Sequence, residues 1–572
     1  MKKEKKRIAL IGGGPSALYA FQHFINSKRT DIEITIFEKN NALGKGMPYS
    51  SMGANTEHIT NISDNELPTL VTPIHEWVYT APAELLQQFN IEPSTFNEYK
   101  VLPRLFFGEY LCAQFQLLID RAEQINVSIN LYLNHEVIDV IDKPDSNEVC
   151  IQTDKSGILP FDICIICTGH YWPKKQEGKV PGYYDSPYPP SKLNFNVDHP
   201  IAIRGSSLTA IDVLRTLSRN HGFFEENGNG ILTYKLNEHN KNFKMVLHSS
   251  DGMLPAIRIH VEDSMSDSDL LTPELIAKNR TQNNGFLSLD FVFETAFKNS
   301  LKDKDPEFYQ RIQHMNMETF VNTMLKLRER LDPFILFEYE YKEAEKSIHR
   351  HKPVYWKKML AMLSFTMNYP AKYFSAEDMK RLHDSLSELI SIVIAFVPQS
   401  SAKELLALHN AGILDIIEVD KDSYIDAEAK GITYHYTDQN EIPVSVSYKI
   451  FIDAIGQKHL SMQEFPFKTL IKEKKLSQAK VKFKNPEAGE KELIKGNEDV
   501  KKDTDGSYFM NVSGITINDH FQIVNSSGVR NERIYIMAVP YISGYNPDYS
   551  GLDFCEHASK LICEEILRST FK

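Results

Sequence analysis

The 572-residue chain lacks any long apolar run: the longest uninterrupted one, Ile392 to Val397, is far short of the ~20 residues that a membrane-spanning helix needs. No membrane insertion is expected. Cysteine is sparse, and 6 residues in so long a chain do not make a disulfide framework. Basic residues do not predominate: 64 Lys and Arg stand against 76 Asp and Glu, a formal net charge of −12. A general nucleic-acid binder needs a basic face to release phosphate counterions, so no nucleic acid partner is expected. Metal-like spacing is also missing. His349 and His351 lie without a nearby Cys or carboxylate at zinc-like intervals, and no metal is assigned.

What is present is ordinary globular composition, 42% hydrophobic and 24% charged with 27 Gly and 27 Pro, which excludes collagen-like, low-complexity and wholly disordered chains. At ~150 residues per domain the length implies roughly three to four units, or two domains with a large insertion. The start, Lys2 to Arg7 followed by Ile8-Ala9-Leu10-Ile11, has the basic and apolar parts of a secretory signal, but the apolar part stops at Gly12-Gly13-Gly14. It reads instead as a first strand, in a cytoplasmic protein.

Arg7 to Lys28 carries the clearest signal: a short apolar strand, a Gly-rich turn, then a helical pattern. Gly12, Gly14 and Ala17 fit G-x-G-x-x-(G/A), in which the first Gly permits a tight turn and the second lets backbone approach a pyrophosphate. The small third residue lets helix pack on strand. The phosphate would sit on the helix N-terminus, at Pro15 and Ser16. A second strand, Ile32 to Phe37, ends in Glu38, 21 positions after Ala17. That is the spacing at which a carboxylate meets ribose hydroxyls.

Gly-Gly-Gly-Pro-Ser-Ala with Glu38 resembles the FAD-binding start of flavoproteins with two dinucleotide-binding domains. GKGMPYS (Gly44 to Ser50), HITNIS (His58 to Ser63) and PRLFFGEYL (Pro103 to Leu111) resemble a bacterial family described as FAD/NAD(P)-binding proteins. CTGHYWP (Cys167 to Pro173) resembles the crossover at the end of a flavoprotein strand, and SPYP (Ser186 to Pro189), RGSSLTAIDV (Arg204 to Val213) and DGMLP (Asp251 to Pro255) follow in the family's order. Related enzymes include flavin-dependent N-hydroxylating monooxygenases, among them enzymes similar to nitrosuccinate synthases, which oxidise the amine of aspartate. The resemblance implies FAD as cofactor, held by the residues above together with Lys39, Val137, Thr168 and Gly169. It also implies that Gly551 and Leu552, after Ser550, open a C-terminal helix facing the flavin. His58, Asn61 and Arg104 are expected close to the isoalloxazine or nicotinamide.

Pro200 to Arg204 followed by Gly205-Ser206-Ser207-Leu208-Thr209-Ala210 reads as a second strand, turn and helix start, with Ser207 in place of the second Gly. A side chain there would hold a pyrophosphate farther away. This is the expected NADH or NADPH site, built on Gly205, Ser207, Leu208 and Thr209. After the next strand, Lys244 to His248, come Ser250 and Asp251 where relatives often place an Arg. An acid there favours NADH, with Arg204 and Arg258 as the residues that would rescue NADPH binding.

Cys164 and Cys167 form a CxxC inside FDICIICTG, which reads as a buried strand and not as a redox pair. Ile129 to Thr153 reads as an antiparallel meander turning at Pro144 to Asn147. HRHKPVYWKK (His349 to Lys358) mixes basic and aromatic residues, most simply a solvated helix end, and Glu473 to Asp505 reads as a solvated, partly flexible excursion. The expected fold is α/β, with two Rossmann-like dinucleotide-binding domains and an α-helical insertion. The FAD domain is discontinuous, 1–195 and 461–572, around an NAD(P)-binding-like domain at 196–460 that includes the insertion at 272–408.

The expected function is an FAD-dependent NAD(P)H oxidoreductase, of monooxygenase type, acting on a small amine or amino acid. Two alternatives stay open. One is a flavin-binding regulatory or interaction protein whose second nucleotide site is degenerate; the other is an NAD(P)H-dependent reductase without oxygen insertion. No catalytic residue is assigned, since no nucleophile triad or acid–base pair stands out, and the oligomeric state is open.

Overall fold

A computed structural model describes residues 5–262, 270–428, 431–545 and 551–569. The first strand, β1 (Lys6–Ile11), runs into a turn and then α1 (Pro15–Asn26), which buries Ala17, Leu18, Phe21, Phe24 and Ile25. The chain returns through β2 (Ile32–Glu38), parallel to β1 with Ile11 beside Phe37. This is the expected strand, turn, helix, strand unit. It sits in a six-stranded sheet whose order is 522–524, 530–536, 163–166, β1, β2, 128–133. The strands are parallel except at the edge, where 522–524 pairs antiparallel with 530–536.

A long helix, α2 (Arg104–Gln124), covers this sheet. The antiparallel meander is shorter at its start than expected. Ser128–Leu133 is a strand of the main sheet, paired with β2, and the meander proper comprises Val137–Lys143, Glu148–Thr153 and Gly157–Phe161. Its first turn is the expected one, with Asn147 in the left-handed region at φ 54°.

The second sheet is wholly parallel, in the order 183–184, 451–453, β3 (Pro200–Arg204), 244–249, 414–418. Its first helix is α3 (Leu208–His221). Both sheets therefore show the parallel, crossover-connected architecture that places ligands at strand C-termini.

Between strands 244–249 and 414–418 the chain makes a run of helices, from Pro273–Gln282 to Gln399–Asn410. This helical region is inserted in the second sheet's connectivity, yet Leu287, Phe297, Phe320, Leu363 and Leu386 share one continuous core with the first domain. Lys372 and Tyr373 reach across to Asp519, at 2.5 and 2.6 Å. The basic and aromatic run is used internally. Lys357, almost fully buried, pairs with Glu340 at 3.0 Å and Glu343 at 2.7 Å, and His351 meets Tyr99 and His260 edge-on.

The stretch expected to be a flexible excursion is instead folded. Gln478–Lys482, Val500–Lys502 and Tyr508–Ile515 form an antiparallel sheet, and Ala479, Val481, Phe483 and Val500 are buried. Its charged residues alternate with these apolar ones, so one face is solvated while the other joins the core. The last long element, α4 (Gly551–Ser569), packs on α1: Ser559 Oγ donates to Ser16 O at 3.4 Å and Cys563 Sγ to Ala20 O at 3.5 Å. No helix among the described residues is long and apolar enough to cross a membrane.

Candidate functional site

The first turn is shaped for close backbone approach. Gly12 has φ +101°, and a Cβ there would lie 2.9 Å from the Cys167 carbonyl oxygen. At Gly14 an added Cβ would lie 3.1 Å from Cα of Gly46, in the GKGMPYS segment. Pro15 occupies the first helical turn, where a missing N–H costs nothing, and leaves the next amides of α1 free for an anion.

Glu38 is buried at the end of β2, and its carboxylate is already oriented. Oε2 accepts the Gly13 N–H at 2.7 Å, and Oε1 accepts the Asn40 backbone and side-chain N–H groups at 2.8 and 2.7 Å. A carboxylate fixed in this way keeps lone pairs for ribose hydroxyls. Lys39 beside it is exposed. Val137 opens the meander two residues after His135, whose N–H donates to Glu38 O at 2.9 Å.

At the crossover, the Thr168 hydroxyl is buried without a hydrogen-bond partner among the described residues, and Gly169 faces open space. An orphaned hydroxyl beside a glycine cradle and a pre-oriented carboxylate is what an extended dinucleotide such as FAD would complete.

The second turn copies the first. Gly205 also has φ +101°, and its added Cβ would lie 2.9 Å from Ala454 O. Ser207 (φ −86°, ψ −165°) adopts the backbone of Gly14 (φ −82°, ψ −164°), so the serine is accommodated without strain and its exposed side chain projects where Gly14 has none. Gly205 N donates to His248 O at 2.8 Å, as Gly12 N does to Phe37 O. By that register Ser249, not Asp251, stands in the place of Glu38. Ser206 Oγ donates to Ser249 Oγ at 3.1 Å, and Ser249 Oγ in turn to Asp251 at 2.5 Å.

Arg258 is not available to a nucleotide phosphate. It is buried against Glu66, donates to Ser63 Oγ at 2.7 Å and also bonds the Asn61 carbonyl. Arg204 stays partly exposed, 3.9 Å from Asp453.

A cavity of about 360 Å3 lies where these parts meet. The first domain supplies Met47 to Tyr49, Thr60 to Ile62 and Gly551 to Asp553; the crossover supplies His170 and Trp172; Tyr188 follows strand 183–184 of the second sheet, and Thr209 lies on α3. The helical region closes it with Ala361, Phe365, Ile394 and Phe396. Asn61, Arg104, Thr209, Gly551 and Leu552 thus share one chamber, while Ser550 lies outside the described residues.

His58 sits behind the wall instead, fully buried. Its Nδ1 accepts the Asn55 N–H at 3.0 Å, so the Nε2 proton points to Asp212 O at 3.1 Å and Thr216 Oγ1 at 3.0 Å. Burial lowers its pKa and keeps the ring neutral. Arg104 reaches the same helix: Nη1 meets Asp212 Oδ2 at 2.6 Å, and Tyr188 OH donates to that oxygen at 2.7 Å. Burial opposes the guanidinium charge, but Asp212 and Tyr188 outweigh it and hold Arg104 protonated. His58 and Arg104 therefore latch the first domain onto α3.

Sequence reasoning did not single out Tyr188, Trp172, Glu66 or Asp553. The first two lie in motifs noted only for their order, and Asp553 directly follows Leu552. Cys164 and Cys167 are buried free thiols whose pKa burial pushes up, as the strand reading expects. No group of His, Cys, Asp and Glu suited to a metal ion occurs among the described residues.

Two parallel sheets, each with a glycine turn at a strand end and a shared chamber between them, define a protein with two dinucleotide folds. Residues 9–171 match the family described as FAD-NAD(P)-binding, and residues 272–394 match the YdhS-like middle domain. The chain thus carries an FAD/NAD(P)-binding domain and a YdhS-like middle domain. It is 27% identical over 503 residues to the Escherichia coli (strain K12) protein YdhS, itself described as uncharacterized, covering 87% of this chain and 91% of that one.

Similar solved structures include ornithine N-hydroxylase KtzI of Kutzneria sp. 744, at 11% identity and a TM-score of 0.45, covering 99% of this chain and 100% of that one. L-lysine 6-monooxygenase from Pseudomonas syringae is similar at 10% identity and a TM-score of 0.48, covering 98% and 99%. Bacillithiol disulfide reductase Bdr from Staphylococcus aureus is similar at 11% identity and a TM-score of 0.43, covering 99% of each chain. Likenesses of this degree assign neither substrate nor reaction.

Proposed function

We propose that the protein is an FAD-dependent NAD(P)H oxidoreductase of monooxygenase type, acting on a small amine or amino acid. The observation that carries this reading is the single chamber walled by Gly551 and Leu552 of the first domain and Thr209 of the second. Thr209 belongs to the first turn of the helix that follows the second glycine turn. Bound FAD would supply two-electron redox chemistry between a nicotinamide and dioxygen.

The chain's own residues would do the rest. Gly12, Gly14 and the start of α1 receive the pyrophosphate of FAD, Glu38 its ribose, and the free N–H groups at the start of α4 the flavin's electron-rich edge. Gly205, Leu208 and the start of α3 receive the nicotinamide nucleotide, with Ser207 holding it slightly off the turn. Ser249 stands at the ribose position with the Asp251 carboxylate hydrogen-bonded to its Oγ at 2.5 Å, so the acid expected to favour NADH is one hydrogen bond removed from that position. Trp172, Tyr188, Phe365 and Phe396 supply an aromatic wall that excludes water from the reacting atoms.

The test is anaerobic stopped-flow absorbance of FAD-loaded protein mixed separately with NADH and NADPH, followed by oxygen and a panel of amines. Rapid bleaching by one donor and an oxygenated amine product are expected. Flavin that stays oxidised with both donors, with and without amines, overturns the reading.

A further inference from the structure

The charges around the chamber are not all balanced. Arg104 is paired with Asp212, and Glu66 with Arg258, both within the wall. Asp553, on the first turn of α4, lines the chamber without an ion-pair partner: its Oδ1 is shielded and has no hydrogen bond among the described residues, and the carboxyl takes one from its own backbone N–H. Among the described residues of the chamber wall, the one Arg or Lys is Arg104, which is paired with Asp212.

We propose that Asp553 is the docking and proton-accepting carboxylate for the cationic amino group of a primary amine bound in this chamber. The inference rests on the oxygenase reading above and names its substrate class more closely. The transfer is R–NH3+ plus Asp553 carboxylate giving R–NH2 plus Asp553 carboxylic acid: one N–H bond breaks, one O–H bond forms, and the nitrogen keeps its electron pair. An amine must lose this proton before its lone pair can take an oxygen atom.

The surroundings fit such a role. Burial, then the charges of Glu66 from the first domain and Glu556 from α4 itself, push the Asp553 carboxyl up to about 7. Tyr19 of α1 and Cys555 of α4 also face it, and both are held neutral by burial at physiological pH. A carboxyl in this state is largely protonated below neutrality and becomes an anion when a cation arrives. Trp172 and Tyr188 line the same chamber, and aromatic rings attract cations generally.

Calorimetric titration of the FAD-loaded protein with n-butylamine, and with n-butanol as the uncharged control, tests this. Butylamine is a cation throughout pH 6 to 8, so its affinity should follow the ionised fraction of Asp553 and rise about tenfold across that range. Butanol should show no such rise. Asp553→Asn should abolish the pH dependence and weaken butylamine about tenfold at pH 8, with butanol unchanged. If that variant does not fold, judged by its melting curve, Asp553→Glu is the second arm and should keep a pH-dependent preference for the amine.

Equal butylamine affinity at pH 6 and 8, or equal affinity in wild type and Asp553→Asn, overturns the inference. The two readings fail separately. Pronounced pH-dependent amine binding with no flavin reduction by NADH or NADPH sinks the oxygenase reading alone, whereas amine oxygenation that Asp553→Asn leaves untouched sinks only the role of Asp553.

Discussion

Gly12 and Gly205 share one backbone geometry: φ is +101° at both, and a Cβ at either would lie 2.9 Å from a carbonyl oxygen, that of Cys167 in the first domain and Ala454 in the second. The same strand-to-helix turn has been built twice in one chain. The two copies differ where function would feel it, because Gly14 is matched by Ser207 and Glu38 by Ser249. On the function proposed above, the first turn is expected to make the stronger nucleotide site and the second the weaker.

The duplicated turn can be broken one copy at a time. An alanine at either glycine adds backbone strain of roughly 1–3 kcal/mol and a clash with a main-chain oxygen that cannot swing aside. Gly12→Ala is expected to yield protein that loses FAD on desalting. Gly205→Ala should retain yellow FAD but no longer be bleached by either nicotinamide nucleotide. FAD loss in Gly205→Ala and not in Gly12→Ala would invert the assignment of the two folds.

Ser207→Gly tests the weaker site from the other side. Because Ser207 has an ordinary φ of −86°, glycine is not needed there and its introduction costs ~1 kcal/mol or less of stability. Removing the side chain should lower the KM for the preferred nicotinamide nucleotide severalfold while leaving FAD content unchanged. An unaltered KM would mean that no pyrophosphate passes over this position.

Glu38→Gln exchanges an acceptor-only carboxylate for an amide beside three N–H donors, those of Gly13 and Asn40. One amide N–H must then face a donor or the ribose must lose a partner. FAD affinity is expected to fall about tenfold, equivalent to ~1.4 kcal/mol, measured by flavin fluorescence on titration into apoprotein.

Arg104→Ala leaves Asp212, 6% exposed at its side chain, without its cation. Stranding a buried carboxylate costs roughly 3–5 kcal/mol, and the loss should appear in urea denaturation as a lower midpoint. Arg104→Lys should recover part of it, lacking the Nε bond to Ile59 O at 3.0 Å. A loss below about 1 kcal/mol for Arg104→Ala would show that the pair does not latch the domains.

His248 is expected to contribute to acid sensitivity of the second sheet. The ring is buried, stacked 4.3 Å from Tyr434, and burial lowers its pKa to about 4. Below pH 6.5 the unfolded chain takes up this proton while the folded one does not, so stability falls as pH drops from 6.5 toward 4. The contribution at risk is roughly 3 kcal/mol. His248→Gln should flatten the stability profile across that window relative to wild type; an identical slope would exonerate this residue.

The first nucleotide fold was legible because its signals are local: strand, glycines, helix and acid fall within residues 7 to 38, and each acts on its neighbours. The second was legible as a strand and turn, but not in its ribose position, since counting along the chain points to Asp251 whereas strand register points to Ser249. The charged stretch at 473–505 misled for a related reason, alternation along short strands being masked by its many lysines and glutamates.

Sequence by itself determined that two parallel dinucleotide folds and a helical insertion would form, because periodicity and turn chemistry depend on residues a few positions apart. Only the tertiary structure decided what surrounds the chamber. It brought Arg104 to Asp212 across 108 positions, set the helical region's Phe365 and Phe396 into the chamber wall, and placed Asp553 there without an ion-pair partner. Pairing of buried charges is a property of three-dimensional neighbours, and which charge is left unpaired can be known only once every other partner has been placed.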